Sequence, residues 1–344
     1  QAVRTIMLRP QPLSPRLRRL FAGGRALLLD PATARELGGA YGLLVPFLEK
    51  GSTSAILPVS TQQEVLGTMT LVSLDPARPL RGADIDLALS VSGQAALALD
   101  NARLYQQQKR FADTMQRSLL PRARPRLAGI EVGAVYESSA RVDVGGDVYD
   151  FLVLEDGRLA VVVGDVTGHG IDATADMAMA KFVFRSLARE HPEPGDFLAA
   201  ANEVVIGEVA MSKFITMLYV TVDPGKGEVA CACAGHPWPR LVGAEGRVRS
   251  VQARGLALGI VPGQTYSELR EQLPRGAAVV LYTDGVIEAR RAGELYGDER
   301  LDAVLAANAG LSPDELAKAI VADCRDFAGG ELADDCAVVV IRRV

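Results

Sequence analysis

The chain has 344 residues, 49% hydrophobic and 23% charged, with 37 Lys and Arg against 42 Asp and Glu for a net charge of −5. Such a length suggests two domains, and so ordinary a composition excludes wholesale disorder. The mild charge balance argues against a nucleic-acid binder, and neither a membrane-spanning apolar run nor an opening secretory signal is present in the sequence.

Cys231, Cys233, Cys324 and Cys336 form no C-x-x-C pair, so reduced thiols and a cytoplasmic location are expected. The chain begins at Gln1, which leaves open an upstream part. To about Glu49 it is loosely patterned and rich in Arg and Gly. Strand-like runs follow at Ser54 to Val59 and Val65 to Val72. After the breakers of Asp75 to Pro79, good helix formers run from about Ile85 to Leu120, and Pro121 ends the helix. Leu97, Leu104 and Phe111 repeat at seven in it, with Asn101, Gln108 and Met115 between. This weak heptad reads equally as a helix packed on its own domain or as one that pairs between subunits.

Beyond Pro125, strands are predicted at Ile130 to Tyr136, Phe151 to Leu154, Leu159 to Val163, Ile215 to Val222, Val229 to Ala234, Ala277 to Tyr282 and Ala337 to Ile341. Helices are predicted at Ala173 to Arg189, Gly195 to Met211 and Pro313 to Phe327, the last capped by Ser312. The class is α+β.

Aspartates stand at the strand ends, several beside glycine: Gly146-Asp147, Gly164-Asp165, Asp284-Gly285 and Asp334-Asp335. Any one Asp-Gly pair reads more simply as a turn. Four together suggest a cluster, and clustered carboxylates repel unless a cation neutralises them. All-oxygen donors select hard ions such as Mg²⁺ or Mn²⁺, which activate water and clamp a phosphoryl oxygen. Metal-assisted phosphoester hydrolysis is the chemistry this favours. Cys336 and Arg342 have a cysteine-phosphatase spacing, but the apolar residues between them cannot wrap a phosphate.

The motifs Val144-Gly145-Gly146-Asp147-Val148-Tyr149-Asp150, Gly164-Asp165-Val166-Thr167-Gly168-His169-Gly170, Ala234-Gly235-His236-Pro237, Leu258-Gly259, Tyr282-Thr283-Asp284-Gly285, Tyr296-Gly297 and Asp334-Asp335 occur in this order. The set resembles the SpoIIE/RsbU-type branch of the metal-dependent PPM protein serine/threonine phosphatases, over nearly all of residues 123–344. The resemblance implies an α-β-β-α sandwich with two Mn²⁺ or Mg²⁺ ions at one edge. Asp147 and Asp165 would serve both ions, with Asp165 bridging, and Val166 would lend its carbonyl. Asp284 and Asp334 would complete the first ion's shell, with Asp335 held second. These four aspartates are the expected catalytic set. The substrate class implied is a phosphorylated STAS-type anti-anti-sigma factor, attacked in line by activated water without a phosphoenzyme.

His169 and Arg141 are weighed as phosphate contacts, His169 being favoured as structural and Arg141 as an ordinary loop residue. His236 reads as loop-fixing, His191 as surface, and Cys231 with Cys233 as core. Ser52 to Val59, Val65 to Leu71 and Ala95 to Tyr105 resemble the latter part of an α/β GAF sensory domain with an incomplete N-terminus. The expected organisation is a GAF-like domain at 1–104, a helical linker at 105–122 that joins a homodimer, and a phosphatase domain at 123–344. An unknown small ligand or upstream sensor is the expected input, with no nucleic-acid or membrane partner. A non-catalytic STAS-binding scaffold and a small-molecule phosphoesterase are the alternatives.

Overall fold

The computed structural model describes residues 15–21, 23–121, 123–138, 146–168, 171–208 and 213–344. The chain divides into two compact units, Gln1–Gln108 and Lys109–Val344.

In the first unit, β1 (Leu27–Leu29), β2 (Thr53–Ser60) and β3 (Val65–Ser73) form an antiparallel sheet in that order. β2 and β3 are the expected pair of strands, slightly longer than the alternation indicates. The unpatterned stretch before them holds the helix Pro15–Leu20 and, after β1, includes the short helices Pro31–Leu37, Gly39–Gly42 and Val45–Leu48. Asp30 caps the helix Pro31–Leu37 by accepting from Thr33 N at 2.7 Å, with Pro31 preset for the first turn. Phe21, Leu29, Ala34, Leu44, Leu48 and Ile56 close a small core. The long helix α1 spans Gly82–Leu119, and Leu97, Leu104 and Phe111 of its heptad are exposed.

The second unit is built on two five-stranded antiparallel sheets. One has the order β10-β9-β12-β15-β4 and the other β11-β8-β7-β6-β5. The strands are β4 (Ile130–Glu137), β5 (Asp147–Val153), β6 (Leu159–Val166), β7 (Ile215–Asp223), β8 (Glu228–Ala234), β9 (Arg240–Val242), β10 (Val248–Ser250), β11 (Leu269–Gln272), β12 (Ala278–Tyr282) and β15 (Cys336–Arg343). A two-residue hairpin, β13 (Arg290–Arg291) with β14 (Glu294–Leu295), lies outside them.

Period-two alternation builds the layers. Leu159, Val161 and Val163 of β6 face Val279 and Leu281 of β12 and Val339 and Ile341 of β15 in a central core. Ala160 and Val162 point outward to α2 (Ile171–Glu190) and α3 (Pro194–Glu208). Val280, Val338 and Val340 point outward on the other side, to α5 (Gly297–Ala307) and α6 (Pro313–Ala328). The result is the expected α-β-β-α sandwich. Cys231 and Cys233 are free thiols of the central core. Ser312 caps α6 in a reciprocal capping box with Glu315, as its position before Pro313 predicts.

Short β9, β10 and β11 and helix α5 were not legible in the sequence. β5 begins at Asp147 rather than Phe151, so the first carboxylate lies within a strand and not ahead of it. Among the described residues, no helix is long and apolar enough to cross a membrane.

Candidate metal centre

Alternation also aims the carboxylates. Asp147 continues the row of Tyr149 and Phe151 on β5, and Asp165 continues the row of Leu159, Val161 and Val163 on β6. Both stand at the edge of the central layer between the sheets. The β5–β6 register sets Asp147 directly opposite Asp165. Like charges so placed destabilise a sheet pair. Asp284 comes from the other sheet, where it opens the short helix α4 (Asp284–Ile287) just after β12. Ligand atoms of Asp147, Asp165 and Asp284 all lie within 4.8 Å of one another.

Glycine makes this approach possible. A Cβ on Gly146 would fall 2.1 Å from the Val166 carbonyl oxygen and 2.3 Å from Asp165 Oδ1. A Cβ on Gly285 would fall 1.9 Å from the Asp335 carbonyl oxygen. Val166 N donates to Gly146 O at 3.2 Å, so the backbones touch where a side chain would otherwise stand. The Val166 carbonyl and the Asp165 carboxylate therefore border one small space beside Gly146. Three carboxylates and a carbonyl form an all-oxygen donor set that suits a hard divalent cation.

The electrostatics point the same way. Burial, then the Asp165 charge, pushes the Asp147 carboxyl well above the usual range. Burial, with Asp284, Asp334 and Asp335 nearby, pushes Asp165 up to about 7. Asp284 is raised by burial and by Asp334. Asp150 shows the contrast. It is fully buried on the outer face of β5, yet it receives Arg185 Nε at 2.6 Å and Lys181 Nζ at 3.2 Å from α2. Among the described residues, no Lys or Arg forms such a pair with the trio.

Asp334 lies outside the trio; the residue as a whole is exposed, yet partial loss of solvent at its carboxyl, then the neighbouring Asp335 charge, raises its pKa. It accepts from Asp335 N at 2.8 Å. The neighbouring Asp335 is the buried one, and its carboxylate accepts the Tyr136 hydroxyl. His169 and Arg141 lie outside the described residues, as do Val144, Gly145 and Gly170.

His236 crosses between the sheets. Its Nδ1 lies 2.9 Å from Thr216 Oγ1 of β7, and its Nε2 lies 3.2 Å from the Tyr282 carbonyl of β12. A carbonyl only accepts, so Nε2 carries the proton and Nδ1 accepts from Thr216. Burial lowers its pKa to about 3, which keeps the ring neutral. This is a structural tie, consistent with the loop-fixing expectation. His191 follows α2 and is partly buried rather than on the open surface.

Sequence reasoning missed Thr283, whose hydroxyl donates to Asp147 Oδ2 at 2.6 Å. The available signal was a hydroxyl residue at the last step of an otherwise apolar strand run, immediately before Asp284.

A family model described as Stage II sporulation protein E (SpoIIE) matches residues 155–344. The chain belongs to the SpoIIE family. Phosphoserine phosphatase RsbU of Bacillus subtilis (strain 168) is 30% identical over 234 residues, which cover 68% of this chain and 69% of RsbU. The solved RsbU and RsbW domains of a Mycobacterium tuberculosis protein are 29% identical with a TM-score of 0.55, matching 64% of this chain and 61% of that one. The SiaA-PP2C domain of Pseudomonas aeruginosa shares the fold, with a TM-score of 0.62 at 21% identity over 72% of this chain and all of that domain (100%). This SpoIIE-family chain is a phosphatase with the fold of PP2C domains, as its ordered motifs implied.

Proposed function

We propose that the chain removes phosphate from phosphoserine or phosphothreonine on a STAS-type anti-anti-sigma factor, in cytoplasmic control of a sigma factor. The observation that carries this reading is the opposed pair Asp147 and Asp165, joined by Asp284 within 4.8 Å and lacking a described protein cation. RsbU is named a phosphoserine phosphatase, and the M. tuberculosis structure joins an RsbU domain to an RsbW domain, which supports a regulatory protein as partner.

Asp147, Asp165, Asp284, Asp334 and the Val166 carbonyl would hold two Mn²⁺ or Mg²⁺ ions. When bound, such ions supply water of lowered pKa and neutralise phosphoryl charge. The chain's own part is positional. Strand register opposes two carboxylates, the β12 end presents the third, and the sandwich core excludes water from beneath them. A phosphorylated STAS protein incubated with the chain should release phosphate with Mn²⁺ or Mg²⁺ and release none in excess chelator. Full turnover in chelator overturns the proposal. Small phosphoesters should turn over more slowly than the phosphoprotein.

The N-terminal region would serve as a GAF-like sensory domain, with α1 pairing across a homodimer. Leu97 is 62% exposed, Leu104 56% and Phe111 55%, an apolar stripe that a second copy would cover. Light scattering at high concentration should report twice the chain mass, and a strict monomer rejects the pairing.

A further inference from the structure

We infer that Thr283 is the positioning residue that orients Asp147 for its cation, an inference that rests on the metal-site reading above. Thr283 is fully buried. Its backbone carries the β12–β15 ladder one step beyond the last strand pair, since Thr283 N donates to Ala337 O at 3.0 Å. Ala337 N in turn donates to Thr283 Oγ1 at 2.9 Å. A hydroxyl has a single proton. With a backbone N–H entering Oγ1, that proton goes to the acceptor 2.6 Å away, Asp147 Oδ2. The relay therefore has one direction, from Ala337 N–H to Thr283 and from Thr283 O–H to Asp147.

The restraint falls where it is needed. Asp165 and Asp284 each have a backbone donor close by, at Val166 and Gly285 respectively. Asp147 is 3% exposed, and among the described residues Thr283 is the one donor to its side chain. With Oδ2 engaged, rotation of the carboxylate is restrained and Oδ1 keeps both lone pairs for a cation. The same hydroxyl joins β5, the β12 end and β15, the three segments that carry Asp147, Asp284 and the Asp334-Asp335 pair. Partners of this kind, which orient a ligand from behind, commonly govern metal affinity.

The test compares wild type with Thr283→Val, Thr283→Ala and Thr283→Ser in the full chain. Calorimetry with Mn²⁺ gives the affinity, and phosphate release against Mn²⁺ concentration gives the metal requirement. Valine keeps the shape and β-branching but removes the donor. Thr283→Val and Thr283→Ala should weaken Mn²⁺ binding about 10- to 100-fold and raise the half-maximal Mn²⁺ concentration by a similar factor. Added Mn²⁺ should restore most of the lost activity, and melting curves in chelator, where no ion supports the fold, separate weaker binding from a folding defect. Thr283→Ser, which keeps the hydroxyl, should stay close to wild type in both readouts. Wild-type affinity in Thr283→Val, or Thr283→Ser as weak as Thr283→Ala, overturns the inference and leaves the metal-site reading standing. If Thr283→Val melts early in chelator, the contrast of serine with alanine decides alone. A wild-type chain that takes up no Mn²⁺ defeats both readings.

Discussion

Asp165→Asn is expected to lower kcat/KM on a phosphoprotein about 10²- to 10³-fold while raising the melting temperature of the metal-free chain above pH 7. Both effects have one origin. The folded-state pKa of Asp165 is raised from 3.8 to about 7, mainly by burial and then by the neighbouring carboxylates. A carboxyl with a raised folded-state pKa adds stability that is complete below the unfolded value and is lost as pH rises through the folded one. Metal-free wild type should therefore melt progressively lower between about pH 4 and pH 7, by an amount on the order of 4 kcal/mol from Asp165 alone. Asn has the same shape without the charge, so much of that slope should vanish in the variant. Melting curves in chelator at pH 5 and pH 8, beside steady-state kinetics in Mn²⁺, check both halves. Retained activity in Asp165→Asn, or a wild-type melting temperature that is flat with pH, would contradict the account.

Gly146→Ala should abolish Mn²⁺ uptake in calorimetry and reduce turnover about 10²- to 10³-fold, a loss comparable to that of a direct ligand. The added methyl would sit 2.1 Å from the Val166 carbonyl oxygen and 2.3 Å from Asp165 Oδ1. The Asp165 oxygen could swing aside, but the Val166 carbonyl is backbone and cannot, so the start of β5 must withdraw from the end of β6. That movement undoes the opposition of Asp147 and Asp165. The displaced segment is a strand end, so the fold should survive with about 1–3 kcal/mol lost, as for other overpacked sites. Gly157→Ala is the matching control. Gly157 has φ +83 in open space, so alanine there meets backbone strain of about 1–2 kcal/mol without touching the site. Equal loss of Mn²⁺ binding in the two variants would show that close approach at Gly146 is irrelevant.

Much of the sandwich was legible because each central strand buries both faces. The runs Leu159 to Val163, Ala278 to Tyr282 and Cys336 to Ile341 have almost no polar interruption, and that pattern survives any error in the ends. β9 and β11 escaped because three or four residues such as Arg240–Val242 or Leu269–Gln272 give alternation too little length to register. Of the site, the aspartates were visible as residues, but their mutual distances were not. The register that opposes Asp147 to Asp165 depends on how β5 docks, and nothing local to Gly145-Gly146-Asp147 reveals it. Asp334 and Asp335 are adjacent, so their sequence positions alone do not tell which carboxylate is buried. The strand that follows does, since Asp335 falls in the inward row with Ala337, Val339 and Ile341. Thr283 was passed over because its importance lies in a partner 136 positions away.

Asp147 and Asp165 come from one sheet and Asp284 from the other. Whatever neutralises them is therefore a rivet between the two sheets at one edge of the sandwich, comparable to a cross-link that can be withdrawn. A ligand bound only by the folded chain lengthens the life of that fold in proportion to its own free concentration. On the proposed metal-site reading, the supply of divalent cation would govern two quantities at once: how fast the chain turns over and how long it escapes unfolding and proteolysis. A cell short of that ion would hold fewer copies of this protein, in addition to idle ones.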